Sequence, residues 1–155
     1  MNVCYIFLFN ICGEFFINNL KIIYSKATEN QLRNEETFLY LTANENDKVF
    51  TSDNQTNSYW TFIQTEDERF IKILNEAFGK YLASDMNDNV FLTNFDEKNS
   101  TGNKTFHVEW RYQGNRLVNR LNGNFLTSSL SGTVVQTRDA TGSTFQSWFQ
   151  NDELF

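Results

Sequence analysis

Leu117-Val-Asn119, Gly123-Asn-Phe-Leu126, Gly132-Thr-Val134 and Phe145-Gln146-Ser-Trp148 follow one another in one stretch of the chain. Together they read as a four-strand unit. A short apolar strand ends at a polar residue, and a turn follows. A second strand turns Leu126 inward, a glycine turn leads into a β-branched strand, and a Gln-x-Trp strand closes the unit. Two looser copies precede it. Leu41, Leu82 and Leu126 are each followed eight residues later by a valine, Val49, Val90 and Val134. An aromatic stands before each leucine: Tyr40, Tyr81 and Phe125. Ile73-x-Asn75 and Leu117-x-Asn119 form the same lead-in seven residues earlier in two of the copies. Each copy ends in one of the three tryptophans, Trp60, Trp110 and Trp148. The leucines lie 41 and 44 residues apart, inside the range of periods that marks repeat architecture.

The length of 155 residues fits one domain. Sixteen Phe and an aromatic share of 16% supply the material of a core. The net charge of -6 and pI near 4.8 argue against nucleic acid, heparin-like polymers and anionic membranes, which need clustered Lys and Arg. With no proline in the chain, Asn, Asp, Gly and Ser must make the turns. Cys4 and Cys12 both precede the repeats, so no disulfide framework staples them. Residues 1–14 hold an apolar run, Val3 to Phe9, too short to span a bilayer. It has the apolar centre of a signal peptide but no basic start. A cleaved leader and an apolar extension packed on the body both remain open. Sequons at Asn54, Asn99 and Asn103 are compatible with secretion, and a cytoplasmic location also stays open.

Residues 15–155 form the expected domain. Phe15 to Ser25 is expected as the first strand, and the charged segment Lys26 to Glu36 as a surface insertion of the first copy. The strands that follow are short, spaced eight to twelve residues apart, with turn signals between them. One four-strand unit cannot bury its own apolar face. Three such units around a pseudo-threefold axis can, with the leucines, valines and tryptophans meeting inside. The expected fold is therefore all-β, a β-trefoil of three four-stranded repeats, whose last strand pairs with its first.

The run Leu117-Val-Asn-Arg120, Gly123-x-Phe-Leu126-x-Ser128, Gly132-x-Val134 and Gln146-x-Trp148 resembles one repeat of the ricin B-type lectin family. Ile73-x-Asn75, Gly79-x-Tyr-Leu82 and Asn89-Val90 match in the second repeat, and Tyr40-Leu41 and Trp60-Thr-Phe62 in the first. The resemblance implies carbohydrate binding, with glycans or glycoproteins as partners. Sugar-binding members place an Asp directly after the conserved leucine, an aromatic at the end of the third strand, and an amide near the Gln-x-Trp. A carboxylate accepts bonds from vicinal hydroxyls, and a ring covers the apolar face of a pyranose. Here Thr42, Ala83 and Thr127 occupy the Asp position. Ser58-Tyr-Trp60 and Val108-Glu-Trp110 replace two of the Gln-x-Trp motifs. The sugar sites are therefore expected to be degenerate.

The candidate ligand-binding residues are Asn44 and Asp53 in the first repeat, Asp85, Asn94 and Phe95 in the second, and Ser128, Asp139 and Gln146 in the third. The plainer reading makes Asn44, Asp85 and Asp139 ordinary turn residues and Gln146 a brace for its own strand. His107, the one histidine, stands on an alternating strand with no cysteine near it, which suits a structural role. No phosphate loop, nucleophile motif or metal-ligand spacing occurs, so neither an enzyme nor a cofactor is expected. The missing Asp residues motivate a second reading, a trefoil that binds a protein partner: a fascin-like actin binder, a protease inhibitor or a cytokine-like ligand.

Overall fold

The computed structural model describes residues 29–94, 106–138 and 143–150. These carry thirteen strands in three groups. The first repeat holds β1 (Glu29–Asn34), β2 (Tyr40–Ala43), β3 (Val49–Ser52) and β4 (Tyr59–Gln64). The second holds β5 (Ile71–Asn75), β6 (Lys80–Asp85), β7 (Val90–Thr93) and a fourth strand split at Val108 into β8 (Phe106–His107) and β9 (Glu109–Gln113). The third holds β10 (Arg116–Asn119), β11 (Phe125–Ser128), β12 (Val134–Thr137) and β13 (Trp148–Gln150), with a 3-10 turn at Thr144–Gln146 before β13.

The outer strands of the repeats make a closed ring. β1 pairs with β4, β4 with β5, β5 with β9, and β9 with β10, all antiparallel. An Arg116–Ser147 bridge, together with the bond from Trp148 N–H to the Asn115 carbonyl (2.7 Å), brings β10 to β13. The last strand then pairs with the first, Leu32 opposite Gln150 and Asn34 opposite Trp148. Closure removes exposed sheet edges from this ring. The inner strands form three hairpins, β2–β3, β6–β7 and β11–β12, which cap one end. The cap is cyclic. Leu92 N–H donates to the Asp47 carbonyl (2.9 Å), Gln136 N–H to that of Asp88 (3.0 Å), and Thr51 N–H to that of Gly132 (2.8 Å). The chain is an all-β trefoil with pseudo-threefold symmetry.

The repeated sequence positions acquire their physical roles here. Leu41, Leu82 and Leu126 are fully buried, with Val49, Val90 and Val134 and the three tryptophans in the same cluster. Full burial of such side chains stabilises by about 1.5–3 kcal/mol each. Each tryptophan also needs an acceptor for its indole N–H. Trp60 donates to the Leu41 carbonyl (3.0 Å), Trp110 to Leu82 (2.9 Å), and Trp148 to Leu126 (3.0 Å). The leucine and tryptophan of each repeat are thus a packed and hydrogen-bonded pair.

One expectation is overturned. Within Lys26 to Glu36, the described residues Glu29–Asn34 are not a surface insertion but β1, a member of the ring. Leu32 and Asn34 are both fully buried. Leu32-x-Asn34 is the third copy of the lead-in seen at Ile73 and Leu117, and Asn34 stands seven residues before Leu41 like the others. Polar residues hide the pattern: Asn30 and Gln31 are buried as well, and Gln31 Nε2 donates to the Ser58 hydroxyl (2.7 Å), so side chains that read as surface in the sequence face inward here. The strand expected at Phe15 to Ser25 lies outside the described residues. After β1, Phe38 takes a left-handed turn conformation (φ 57°), with its N–H bonded to the Asn34 carbonyl (3.0 Å).

Candidate functional site

A cleft of about 610 Å³ opens in the third repeat between the β11–β12 hairpin and the 3-10 turn. That volume is within the range of small-molecule sites. Both elements follow from local sequence. The hairpin turn is held by the Ser129 hydroxyl, which accepts from Thr133 N–H (3.1 Å), and by Gly132 at φ 80°. The 3-10 turn is capped by the Ser143 hydroxyl, which accepts from Phe145 N–H (3.3 Å).

The cleft presents hydroxyls and one amide. The Thr127 and Thr137 hydroxyls lie 2.9 Å apart, and Gln146 Nε2 donates to Thr137 Oγ1 (2.8 Å). Ser128 lines the cleft, but its hydroxyl meets Thr51 across the repeat seam (3.1 Å). Phe145 and Leu130 supply apolar walls, and Leu130 is 79% exposed at the hairpin tip. The described lining residues are all uncharged. Thr127, at the position where the resemblance implies Asp, thus joins a neutral Thr127–Thr137–Gln146 network.

A smaller cleft of about 210 Å³ occupies the equivalent place in the first repeat, lined by Thr42, Asn44, Phe50 and Asn54 among others. The Thr42 hydroxyl donates to the Thr56 carbonyl (2.8 Å), so the following loop partly fills the space.

The candidate residues divide accordingly. Ser128 and Gln146 come together in the third-repeat cleft, and Asn44 lines the first-repeat cleft. Asn44 and Asp85 are equivalent turn residues. The Asn44 side-chain oxygen accepts from Asn46 and Lys48 N–H (3.0 and 3.1 Å). Asp85 accepts from Asn87 and Asn89 N–H (2.8 and 3.0 Å) and from the Asn89 amide (2.9 Å). Partial burial pushes the Asp85 carboxyl up, but these bonds from Asn89 and Asn87 outweigh it and hold the group below its ordinary range. Its carboxylate is committed to its own turn. Asp53 is exposed beside the smaller cleft, its carboxylate accepting from the Ser52 hydroxyl (3.4 Å). Asn94 is exposed at the end of β7. Phe95 and Asp139 lie outside the described residues. Sequence reasoning passed over Thr127 and Thr137 because neither carries the expected charge. Phe145, directly before Gln146-x-Trp148, was the available signal for an aromatic wall.

No family model matches the chain, and no curated protein matches it. Solved structures do match the fold. SeviL bound to asialo-GM1 saccharide aligns with a TM-score of 0.63 at 14% identity, over 80% of this chain and 96% of that one. The designed threefold-symmetric protein ThreeFoil aligns at 0.60 and 21% identity, over 78% and 96%. The GlcNAcα1-4Gal-releasing endo-β-galactosidase from Clostridium perfringens aligns at 0.64 and 19% identity, over 79% of this chain and 32% of that one. The chain therefore spans about a third of that enzyme. These alignments show the fold alone, a β-trefoil.

Proposed function

We propose that this chain is a non-catalytic carbohydrate-binding module of the ricin B type, with its working site in the third-repeat cleft and glycans or glycoproteins as partners. The observation that carries the reading is the pairing of Phe145 with the Thr127–Thr137–Gln146 network in one open cleft. A pyranose has an apolar face for the ring and hydroxyls for the network. SeviL, with its bound saccharide, supports the reading by fold. The neutral cleft exchanges neutral hydrogen bonds, which contribute only about 0.5–1.5 kcal/mol net each. A single site of this kind binds weakly, with Kd on the order of 1 mM, or about -4 kcal/mol.

The test is a glycan array followed by calorimetry with galactosides, glucosides and mannosides. Binding should appear at millimolar sugar. Phe145→Ala should weaken it about tenfold, corresponding to loss of a ring contact of roughly 0.5–1.5 kcal/mol. Silence across all three sugar classes would overturn the reading. The exposed Leu130 at the cleft mouth favours a protein partner as the second reading. Retained binding to a protein with no glycan, lost in Leu130→Asp, would establish it.

A further inference from the structure

The carboxylate, amide and ring that sugar recognition calls for are not combined in either cleft among the described lining residues. They come together elsewhere. A depression of about 340 Å³ on the barrel wall, at the seam of the first and second repeats, is lined by Asn57, Tyr59, Glu76 and Ala77. Tyr59 begins β4, and the inward turn of Trp60 sends Tyr59 outward, 41% exposed. Glu76 follows β5, and its N–H donates to the Tyr59 carbonyl (3.0 Å), which fixes the two residues side by side. The Thr61 hydroxyl donates to Glu76 Oε1 and aims the carboxylate. Asn57 lines this depression and the first-repeat cleft alike, and so joins the two.

The pseudo-symmetry shows what is particular here. The same backbone bond joins Arg120 to Glu109 (2.9 Å) and Glu35 to Ser147 (3.0 Å) at the other seams. At the second seam an Arg120–Glu109 ion pair (2.6 Å) closes the position. At the third, Ser147 provides no ring. Glu76 forms no ion pair among the described residues, and its neighbour is an exposed phenol ring.

We propose that Tyr59, Glu76 and Asn57 form a second saccharide contact, outside the hairpin clefts, for a neutral pyranose with vicinal hydroxyls. The ring covers the apolar face of the sugar, the Glu76 carboxylate accepts from two hydroxyls, and the Asn57 side-chain oxygen accepts from a third, while Asn57 Nδ2 donates to the Ala43 carbonyl (3.5 Å). This rests on the carbohydrate reading but uses a different part of the surface, so the two can fail separately.

The test follows backbone amides of the full chain by NMR during titration with methyl β-galactoside, methyl α-glucoside and methyl α-mannoside at millimolar concentration. Saturable shifts at Tyr59, Glu76 and Ala77 are expected for at least one sugar. Glu76→Gln should weaken that titration about tenfold, as loss of charge-assisted hydrogen bonds does. Tyr59→Ala, at an exposed position, should weaken it similarly without unfolding the protein. Movement confined to Thr127, Thr137 and Phe145 would overturn the wall site and leave the cleft standing. Wall shifts unaltered by Glu76→Gln would overturn the assigned chemistry. Silence in both regions would overturn the carbohydrate reading and this site with it.

Discussion

Asp67, in the turn between β4 and β5, shows how single residues set pH behaviour here. Its carboxylate accepts two bonds from the Arg69 guanidinium, both 2.9 Å, while Arg120 stands 3.7 Å away. The Arg69 side-chain bond, above all, holds its pKa at about 2 against an ordinary 3.8, with Arg120 adding attraction and desolvation opposing. The folded state releases this proton more readily than the unfolded chain does. Its contribution to stability is therefore complete above about 3.8 and is lost as pH falls toward about 2. An NMR titration should show the Asp67 carboxyl midpoint near 2, returning toward 3.8 in Arg69→Ala. Residue chemistry also explains why the cleft was only partly legible. Gln146 and Phe145 belong to a recognisable motif. Thr127 and Thr137 are common strand residues, and only cross-strand pairing brings their hydroxyls together.

At the scale of elements, the hairpin seams are near-equivalent in backbone and different in side chains. Asp47 is pinned by Lys80 (2.5 Å) at the first seam, and Asp88 by the Asn124 amide (2.6 Å) at the second. At the third, Gly132 takes the Asp position. A Cβ there would lie 2.8 Å from the Thr51 carbonyl oxygen, and φ is 80°. Gly79 also has positive φ (61°) but faces open space. Gly79→Ala should cost about 1–2 kcal/mol from backbone conformation alone. Gly132→Ala should cost roughly 1–3 kcal/mol more, because the seam must also shift. Urea denaturation of the two variants checks the difference, and equal costs would show that the seam yields freely. The elements also explain the misread β1. Its buried Leu32 and Asn34 fit the repeat, but its polar Asn30 and Gln31, also buried, match an exposed segment when read in sequence.

At the scale of the molecule, the ring and cap share one core cluster drawn from all three repeats. No repeat can open without exposing apolar surface of the other two, so unfolding should be a single transition. Tryptophan fluorescence and circular dichroism should trace coincident curves. Leu82→Ala should move both together by about 2–5 kcal/mol, and separation of the curves would refute a shared core. The sequence by itself determined the repeat: the period, the inward leucines and valines, the terminal tryptophans, and hence the trefoil. That information is local, because each residue's alternation and spacing say which way it faces. Only the tertiary structure decided which loops stay open. It committed Asp85 to its turn, brought Thr127, Thr137 and Gln146 into one network, and set Tyr59 beside Glu76. Those neighbours come from different strands, and their meeting depends on ring closure and seam register, which no short window of residues encodes.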